Sequence, residues 1–361
     1  MSAITTIHSP LRGRGTAGNP RNRFAKRHVE REAVEGLCPD PAPTTEFFQD
    51  RTKGVLSHND SPDVPFDTGL NPYRGCEHGC VYCYARPTHE YLGFSSGLDF
   101  ESRIMVKEDA PRLLRKELSS PRWKPRVIAM SGVTDPYQPA EKRLRITRQC
   151  LEVMAEFRNP VAIITKSRLV TRDIDVLGEL ARHNAAVVCV SVTSLDPELA
   201  RTLEPRASAP TGRLAAIEEL AAAGIPVGVM MAPIIPGLTE HEIPSVISEA
   251  ARAGAKFANY TILRLPYSVG QMFEEWLATH RPDAREKVMN RLREMRDGKL
   301  TDPRFGARMR GEGVHAENIH KLFGLACKRA GLVQRDTSLS VEAFRRASGD
   351  GQLSLFEEEL A

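Results

Sequence analysis

The stretch NPYRGCEHGCVYCYARP, residues 71–87, carries three cysteines in a C-x3-C-x2-C spacing, with no fourth cysteine close to it. The three are Cys76, Cys80 and Cys83. A structural zinc site usually has four protein ligands, and His78 or His89 would have to supply the fourth one here. A 4Fe-4S cluster contains four irons, so three thiolates leave one iron open to an outside ligand. The spacing therefore predicts either a closed zinc site or an open iron–sulfur site.

The composition of the whole chain is that of a folded protein of enzyme size. Of its 361 residues, 41% are hydrophobic and 27% are charged, which is ordinary for a soluble globular protein. The first residues lack the apolar segment of a secretory signal, so we predict a cytoplasmic protein. Residues 220–238 are uncharged, but their glycines and prolines predict a buried strand between a helix and a loop rather than a membrane span. Seven cysteines in a cytoplasmic chain favour metal binding over disulfides.

From about residue 67, short apolar runs alternate with longer segments of helical periodicity. The predicted strands cover residues 69–73, 126–131, 161–165, 187–192, 227–232 and 259–265. Six strand–helix units indicate an α/β fold with a parallel sheet, either a doubly wound layer or a partial (β/α)6 TIM-type barrel. In both arrangements the chemistry collects at the carboxyl ends of the strands.

These patterns divide the chain into four regions. Residues 1–60, which are rich in Pro, Gly, Arg and Asn, are predicted to form a flexible basic arm. Residues 61–266 are the predicted barrel, residues 267–347 a helical extension, and residues 348–361 a flexible tail. The net charge of +4 is mild, so the arm alone does not establish a nucleic-acid partner.

The cysteine spacing, with an aromatic residue before the last cysteine, resembles the cluster loop of the radical SAM superfamily. The chain is most similar to the spore photoproduct lyase-like branch of that superfamily. The resemblance implies a partial barrel in which Cys76, Cys80 and Cys83 bind a 4Fe-4S cluster, with S-adenosylmethionine (SAM) on the open iron. It also implies reductive cleavage of SAM to methionine and a 5'-deoxyadenosyl radical, with Tyr82 beside the adenine.

The same resemblance implies further contacts with SAM at the ends of the predicted strands. Thr134 and Asp135 would hold the SAM amino group, Lys166 its carboxylate and Ser191 a ribose hydroxyl. Glu204 and Arg206 are further polar candidates that would point at the site. From the residues alone, an Asp-Pro turn explains the first pair equally well, and Arg206 also suits a surface ion pair.

The chain departs from the photoproduct lyases in one respect. Those enzymes carry a hydrogen-donating cysteine close to the segment that holds the SAM amine, whereas residues 131–135 contain none. This departure argues against photoproduct reversal by the same last step, and it leaves Cys327 as the candidate hydrogen donor. Tyr84, Tyr91 and Tyr137 would suit either radical transfer or ordinary packing.

The tail contains the sequence QLSLF, residues 352–356, which resembles the short motif by which DNA polymerases and repair factors bind the sliding clamp. Gln352, Leu353, Leu355 and Phe356 would make the contact, while an amphipathic last helical turn is the alternative. Together with the basic arm and the resemblance to the lyase-like branch, this tail predicts a radical SAM enzyme that acts on DNA, in repair or base modification. The alternatives are an RNA or peptide substrate, or a non-enzymatic zinc or redox-sensing iron–sulfur protein. The predicted electron donor is a protein such as flavodoxin or ferredoxin.

Overall fold

The computed structural model of the chain describes residues 11–26, 43–334 and 338–346. These residues contain ten β-strands, β1 (Glu46–Gln49), β2 (Leu56–His58), β3 (Thr68–Leu70), β4 (Tyr73–Arg74), β5 (Arg103–Val106), β6 (Ile128–Met130), β7 (Val161–Thr165), β8 (Ala186–Ser191), β9 (Val227–Ile234) and β10 (Phe257–Ile262). Seven of them form one sheet in the order β10-β9-β8-β7-β6-β3-β2. From β3 to β10 all neighbours are parallel, and β2 is an antiparallel edge strand. The predicted partial (β/α)6 barrel is therefore confirmed.

Twelve α-helices lie within the same described ranges and mostly connect successive strands. They are α1 (Leu98–Ser102), α2 (Ala110–Ser119), α3 (Glu141–Leu144), α4 (Ile146–Phe157), α5 (Ile174–Ala181), α6 (Pro197–Leu203), α7 (Pro210–Ala222), α8 (Ile243–Arg252), α9 (Ser268–His280), α10 (Pro282–Glu294), α11 (Ala307–Arg310) and α12 (Gly313–Ala330). Short 3-10 helices cover Arg86–Leu92, Arg168–Asp173 and Glu240–Glu242. None of these helices is long and apolar enough to cross a membrane.

The two faces of the sheet differ in burial, because successive side chains of a strand point to opposite faces. Val188, Val190 and Tyr260 share one large core cluster with helix residues such as Leu177. Residues of the other parity are half-buried along the neighbouring strands, namely Ile164, Cys189, Met230 and Asn259. The helices therefore cover the outer face of the sheet, whereas the inner face lines the barrel interior and is only half-buried.

The first predicted strand, residues 69–73, is divided between two sheets. Only β3 joins the barrel, while β4 pairs with β5 in a small sheet of order β1-β5-β4. Pro72 stands at the break, where the missing N–H group prevents a continuous ladder. The chain consequently turns at the carboxyl end of β3, and the cysteine stretch begins there.

Much of the predicted flexible arm is packed against this region, which corrects the prediction for residues 11–26 and 43–60. β1 pairs in parallel with β5, and Arg14 Nη1 donates to the backbone oxygen of Glu101 at 2.8 Å. These segments satisfy their backbone with loop hydrogen bonds, which leave no periodic pattern in the sequence. Residues 1–10 and 27–42 lie outside the described residues, as does the clamp-like motif at residues 352–356.

The extension after the barrel is helical, as predicted, but it divides into two parts. α9 and α10 share an apolar cluster with Cys80 and Tyr82, and Trp276 Nε1 of α9 donates to the oxygen of Thr202 at 3.1 Å. α12 instead packs against α8 on the outer layer. Only the first part therefore supports the cysteine stretch.

Candidate active site

Residues 75–85 form a compact loop at the carboxyl end of β3, called the cysteine loop below. Cys76 and Cys80 are buried and Cys83 is partly exposed. Cys76 N donates to Phe100 O at 2.9 Å, and Val81 N donates to Leu203 O at 3.0 Å. The loop is thus tied to the barrel through its backbone before any metal binds.

Burial dominates the electrostatics of the Cys80 and Cys83 thiols. It raises the pKa of Cys80 well above the usual value, and the nearby Glu204 carboxylate raises that pKa further, while the Lys166 cation opposes both. Burial also raises the pKa of Cys83, and the neighbouring Cys76 adds to this rise. The thiols are therefore close enough for the charge on one of them to raise the pKa of another.

Arg86, which is fully buried, organises the cysteine loop from behind. Its guanidinium donates to five oxygens, namely Cys80 O (2.9 Å), Gly79 O (3.1 Å), Gly97 O (3.0 Å), Ser96 O (3.3 Å) and Glu101 Oε1 (2.5 Å). The Glu101 carboxylate also accepts from Gly15 N at 2.9 Å. A single buried ion pair therefore connects the cysteine loop to the N-terminal segment.

Gly15 makes the closest approach to this loop. A Cβ atom at Gly15 would lie 1.7 Å from Gly79 O, which is a backbone atom of the cysteine loop. We expect Gly15→Ala to destabilise the protein by about 1–3 kcal/mol, because neither backbone can move without breaking its hydrogen bonds to Glu101 and Arg86. Urea unfolding and the iron content after anaerobic reconstitution measure the effect.

Gly54→Ala is the matched control for Gly15→Ala, since a Cβ at Gly54 meets no atom within 4 Å. If both variants keep wild-type stability and iron content, the contact between the N-terminal segment and the cysteine loop is not required.

Thr134 and Asp135 lie beside the cysteine loop but are already bonded within the protein. Thr134 Oγ1 donates to Gly75 O at 2.7 Å. The Asp135 carboxylate accepts from the N–H groups of Tyr137 (2.8 Å) and Lys166 (2.7 Å). It also accepts from Thr165 Oγ1 at 2.7 Å and pairs with His78 Nδ1 at 3.3 Å. Since a carboxylate has about four acceptor positions, a SAM ammonium group would have to displace one of these partners.

His78 belongs to this network through Asp135, and its side chain also hydrogen-bonds the side chain of Cys76. Burial lowers its pKa, but the Asp135 carboxylate and Cys76 outweigh this, so the pKa of His78 rises to about 10. His78 O also accepts from Arg206 N at 3.2 Å.

Lys166 lies immediately after β7 and reaches across the interior of the barrel. Its Nζ donates to Ala232 O at 3.1 Å and lies 5.9 Å from the centre of the Tyr82 ring. An ammonium group has three donors, so Lys166 retains capacity to bind an anionic group. Lys166 thus lies near Cys80 and at a strand end, and its contact with a carboxylate stays a prediction.

Glu204 belongs to a buried network behind Tyr82. Its carboxylate accepts from the Tyr82 hydroxyl, from Arg213 Nη2 and, at 2.7 Å, from Thr193 Oγ1. Burial raises the pKa of Glu204, but the Arg213 and Lys166 cations and the hydrogen bonds from Tyr82 and Arg213 together outweigh burial, and the pKa falls to about 2. The side chain of Glu204 therefore orients the Tyr82 ring.

Arg206 and Ser191 complete the predicted set. Arg206 Nη1 pairs with Glu77 Oε1 of the cysteine loop at 2.9 Å, so it supports the loop through an ion pair. Ser191 ends β8 on the inner face, and its backbone oxygen accepts from Arg213 Nη1 at 3.2 Å.

Cys327 is not brought to the cysteine loop. It lies in α12 within the large core cluster on the outer face of the sheet, and burial raises the pKa of its thiol to about 11. This position gives no support to a role as hydrogen donor. Of the three tyrosines, Tyr84 is half-exposed beside Cys83, Tyr91 is exposed, and Tyr137 is buried with its hydroxyl on Asp173 Oδ2 at 3.1 Å.

The donor set of the loop suits a cluster better than a single ion. Within the described residues, no three His, Cys, Asp or Glu side chains are close enough together to share one metal ion. An iron–sulfur cluster does not require such convergence, because each thiolate binds a different iron. Three thiols in one loop, with Lys166 near Cys80, therefore fit a cluster in which one iron has no cysteine ligand.

Most of the residues that the sequence analysis missed hold the cysteine loop in place through hydrogen bonds and ion pairs. Arg86, Glu101, Arg213 and Gln138 hold the loop, and Gln138 Nε2 donates to Gly75 O at 3.2 Å. No local pattern marks them, since a buried charge is recognisable only by its partner. The arginine that closes the "CYAR" run after the last cysteine is the single nearby signal.

Comparisons with known proteins agree with this geometry. Residues 70–250 match the radical SAM superfamily pattern. An uncharacterised protein of Mycobacterium tuberculosis (strain CDC 1551 / Oshkosh) is 37% identical over 68% of this chain and 72% of its own length.

Two solved structures share the fold. Spore photoproduct lyase complexed with dinucleoside spore photoproduct has a TM-score of 0.57 at 17% identity, over 84% of this chain and 87% of that one. Its C140A/S76C mutant with bound AdoMet and dinucleoside spore photoproduct has a TM-score of 0.54 at 18% identity, over 80% of each chain. With half of its residues matching the superfamily pattern around the cysteine loop, the chain belongs to the radical SAM superfamily, whose members are enzymes that use SAM and an iron–sulfur cluster.

Proposed function

We propose that the protein binds a 4Fe-4S cluster, cleaves SAM reductively and uses the product to act on DNA, in repair or base modification. The observation that carries this proposal is the cysteine loop, which lies at the carboxyl end of β3 beside Lys166 and an accessible barrel interior. When bound, the cluster and SAM would supply a 5'-deoxyadenosyl radical that abstracts a substrate hydrogen. The protein's own residues would bind, orient and shield these groups.

Each residue has a defined part in this proposal. Cys76, Cys80 and Cys83 would hold three irons. Lys166 would bind the SAM carboxylate with its remaining donors, and Ser191 would reach the ribose. Tyr82, fixed by the Glu204 network, would lie against the adenine. Thr134 and Asp135 would contact the SAM amino group only if one of their present hydrogen bonds within the protein were broken.

DNA is the proposed substrate for two reasons. A solved structure with the same fold is spore photoproduct lyase in complex with a dinucleoside spore photoproduct, and in this chain the Arg264 guanidinium lies 5.5 Å from the centre of the Tyr84 ring of the cysteine loop. Cys327 lies on the outer layer of the fold, away from the cysteine loop. We therefore propose that the protein does not reverse the photoproduct with Cys327 as the hydrogen donor. Flavodoxin or ferredoxin remains the proposed electron donor, and the sliding clamp a proposed partner through residues 352–356.

The test is the transfer of substrate hydrogen into 5'-deoxyadenosine. The anaerobically reconstituted, reduced protein is incubated with SAM and perdeuterated DNA, RNA or peptide in parallel, and 5'-deoxyadenosine is analysed by mass spectrometry. We expect deuterium to enter from DNA. Deuterium from RNA or peptide instead would replace the proposed substrate, while absence of any 5'-deoxyadenosine would refute SAM cleavage and favour a zinc or redox-sensing protein.

A further inference from the structure

Two arginines near the end of β10 have donors that are unused within the described part of the chain. Arg264 follows β10, and Arg296 follows α10 with a side chain that is only 2% exposed. Arg296 Nη2 donates to Leu263 O. Its Nε and Nη1, and also Nε of Arg264, are buried and have no acceptor among the described residues.

The surroundings of the pair carry an excess of positive charge. Burial, with a smaller contribution from the Arg264 cation, lowers the pKa of Arg296 to about 10. Burial likewise lowers the pKa of Arg264, and Arg308 adds to this. The nearby carboxylates are engaged elsewhere, because Asp63 pairs with Arg308, and Asp302 pairs with Arg304 at 2.6 Å.

A buried guanidinium without an acceptor is costly, because it loses its hydration and gains nothing in exchange. Burying Arg296 while two of its N–H groups lack an acceptor is therefore unfavourable, unless a further group accepts hydrogen bonds from them. That group has to be an acceptor with several oxygens and a negative charge, since the donors come from two guanidiniums. Phosphate is the common biological anion that matches this geometry.

The pair lies next to the cysteine loop. The Arg264 guanidinium carbon is 5.5 Å from the centre of the Tyr84 ring, and Tyr84 directly follows Cys83 with half of its surface exposed. Arg264 Nη1 also reaches Met309 Sδ at 3.7 Å, a weak acceptor that an oxyanion would readily displace. An anion held by Arg264 would therefore lie close to Tyr84 and the cysteine loop.

We propose that Arg264 and Arg296 form a phosphate-binding site that holds the backbone of the nucleic-acid substrate beside the cysteine loop. The assignment to a nucleic-acid backbone rests on the proposed function, whereas the binding of phosphate itself does not. The site would position the strand without reading its sequence, as phosphate contacts generally do.

The first test uses inorganic phosphate as the probe and thermal unfolding as the readout. We expect phosphate to raise the Tm of the full-length protein relative to chloride at equal ionic strength, and Arg264→Met or Arg296→Met to remove this rise. Without phosphate, Arg296→Met should be no less stable than the wild type, because methionine fills the space without an unpaired charge. Arg285→Met is the control, since Arg285 is exposed and pairs with Glu274. A phosphate response that persists in both variants would overturn the site.

The second test separates the site from the proposed function. Binding of a fluorescent single-stranded DNA 12-mer is compared with its methylphosphonate analogue, which lacks backbone charge. We expect Arg264→Met to weaken binding of the charged strand by about tenfold and to reduce the salt slope by about one, with no effect on the analogue and none from Arg285→Met. If phosphate binds but DNA does not, the site stands and the DNA proposal fails. If DNA binds and Arg264→Met changes nothing, the site is wrong while the DNA proposal stands.

Discussion

Replacement of Cys80 by alanine is expected to abolish SAM cleavage and to remove the EPR signal of the reduced cluster. Cys80 is buried between Cys76 and Cys83 in the cysteine loop, and an alanine there would leave a second iron of the proposed cluster without a protein ligand. The remaining two thiolates cannot hold a four-iron cluster in a fixed orientation. The measurements are EPR of the anaerobically reduced protein with and without SAM, and the yield of 5'-deoxyadenosine. In the wild type we expect the signal to shift when SAM is added.

Cys150→Ala is the matched control, because Cys150 is equally buried but lies in α4 within the main core. This variant should retain the cluster and its response to SAM. Cys327→Ala provides a second comparison on the outer layer. If the Cys80 variant keeps an EPR signal that shifts with SAM, or if the wild type binds zinc in place of iron, the open-iron assignment is wrong.

Arg86→Met is expected to produce the second large effect. Arg86 and Glu101 form a fully buried ion pair at 2.5 Å, and removal of one partner of such a pair typically costs about 3–5 kcal/mol, because the other charge is left unpaired. Four backbone oxygens, two of them in the cysteine loop, lose their donor as well. Urea unfolding should show the loss of stability, and the iron content after reconstitution should fall.

The double variant Arg86→Met with Glu101→Met tests whether the loss comes from the unpaired carboxylate. We expect it to recover part of the stability, because no buried charge remains, but not the iron content, because the oxygens of Gly79 and Cys80 still lack a donor. Arg285→Met serves as a surface control. Equal stability of the single and double variants would show that the ion pair contributes little beyond packing.

Both predictions concern the cysteine loop, but only the cysteines could be recognised as functional residues from the sequence. The cysteines were visible because metal chemistry requires a fixed ligand spacing along the chain. Arg86 and Glu101 were not visible, because an arginine and a glutamate 15 residues apart look like any surface pair until the chain brings both into the core. The same holds for Glu204, which was predicted as a polar candidate pointing at the site and whose partner Arg213 was not foreseen.

The limits of the fold prediction have a related cause. The strands β7, β8 and β9 agree with their predicted ranges within a few residues, because burial on both faces produces continuous apolar runs. The packing of residues 11–26 was missed, since loops held by backbone hydrogen bonds and close glycine contacts, as at Gly15, show no periodicity.

By itself, the sequence determined a parallel sheet of six strand–helix units and the position of the cysteine loop after its first strand, because local periodicity and ligand spacing are written along the chain. Its resemblance to the radical SAM superfamily then selected the partial barrel and the iron–sulfur site from the alternatives. Only the tertiary structure decided which polar groups support the loop, that Cys327 lies on the outer layer, and that Arg264 and Arg296 share a place with unused donors. The partner of a buried charge depends on distances across the fold, and no spacing along the chain encodes them.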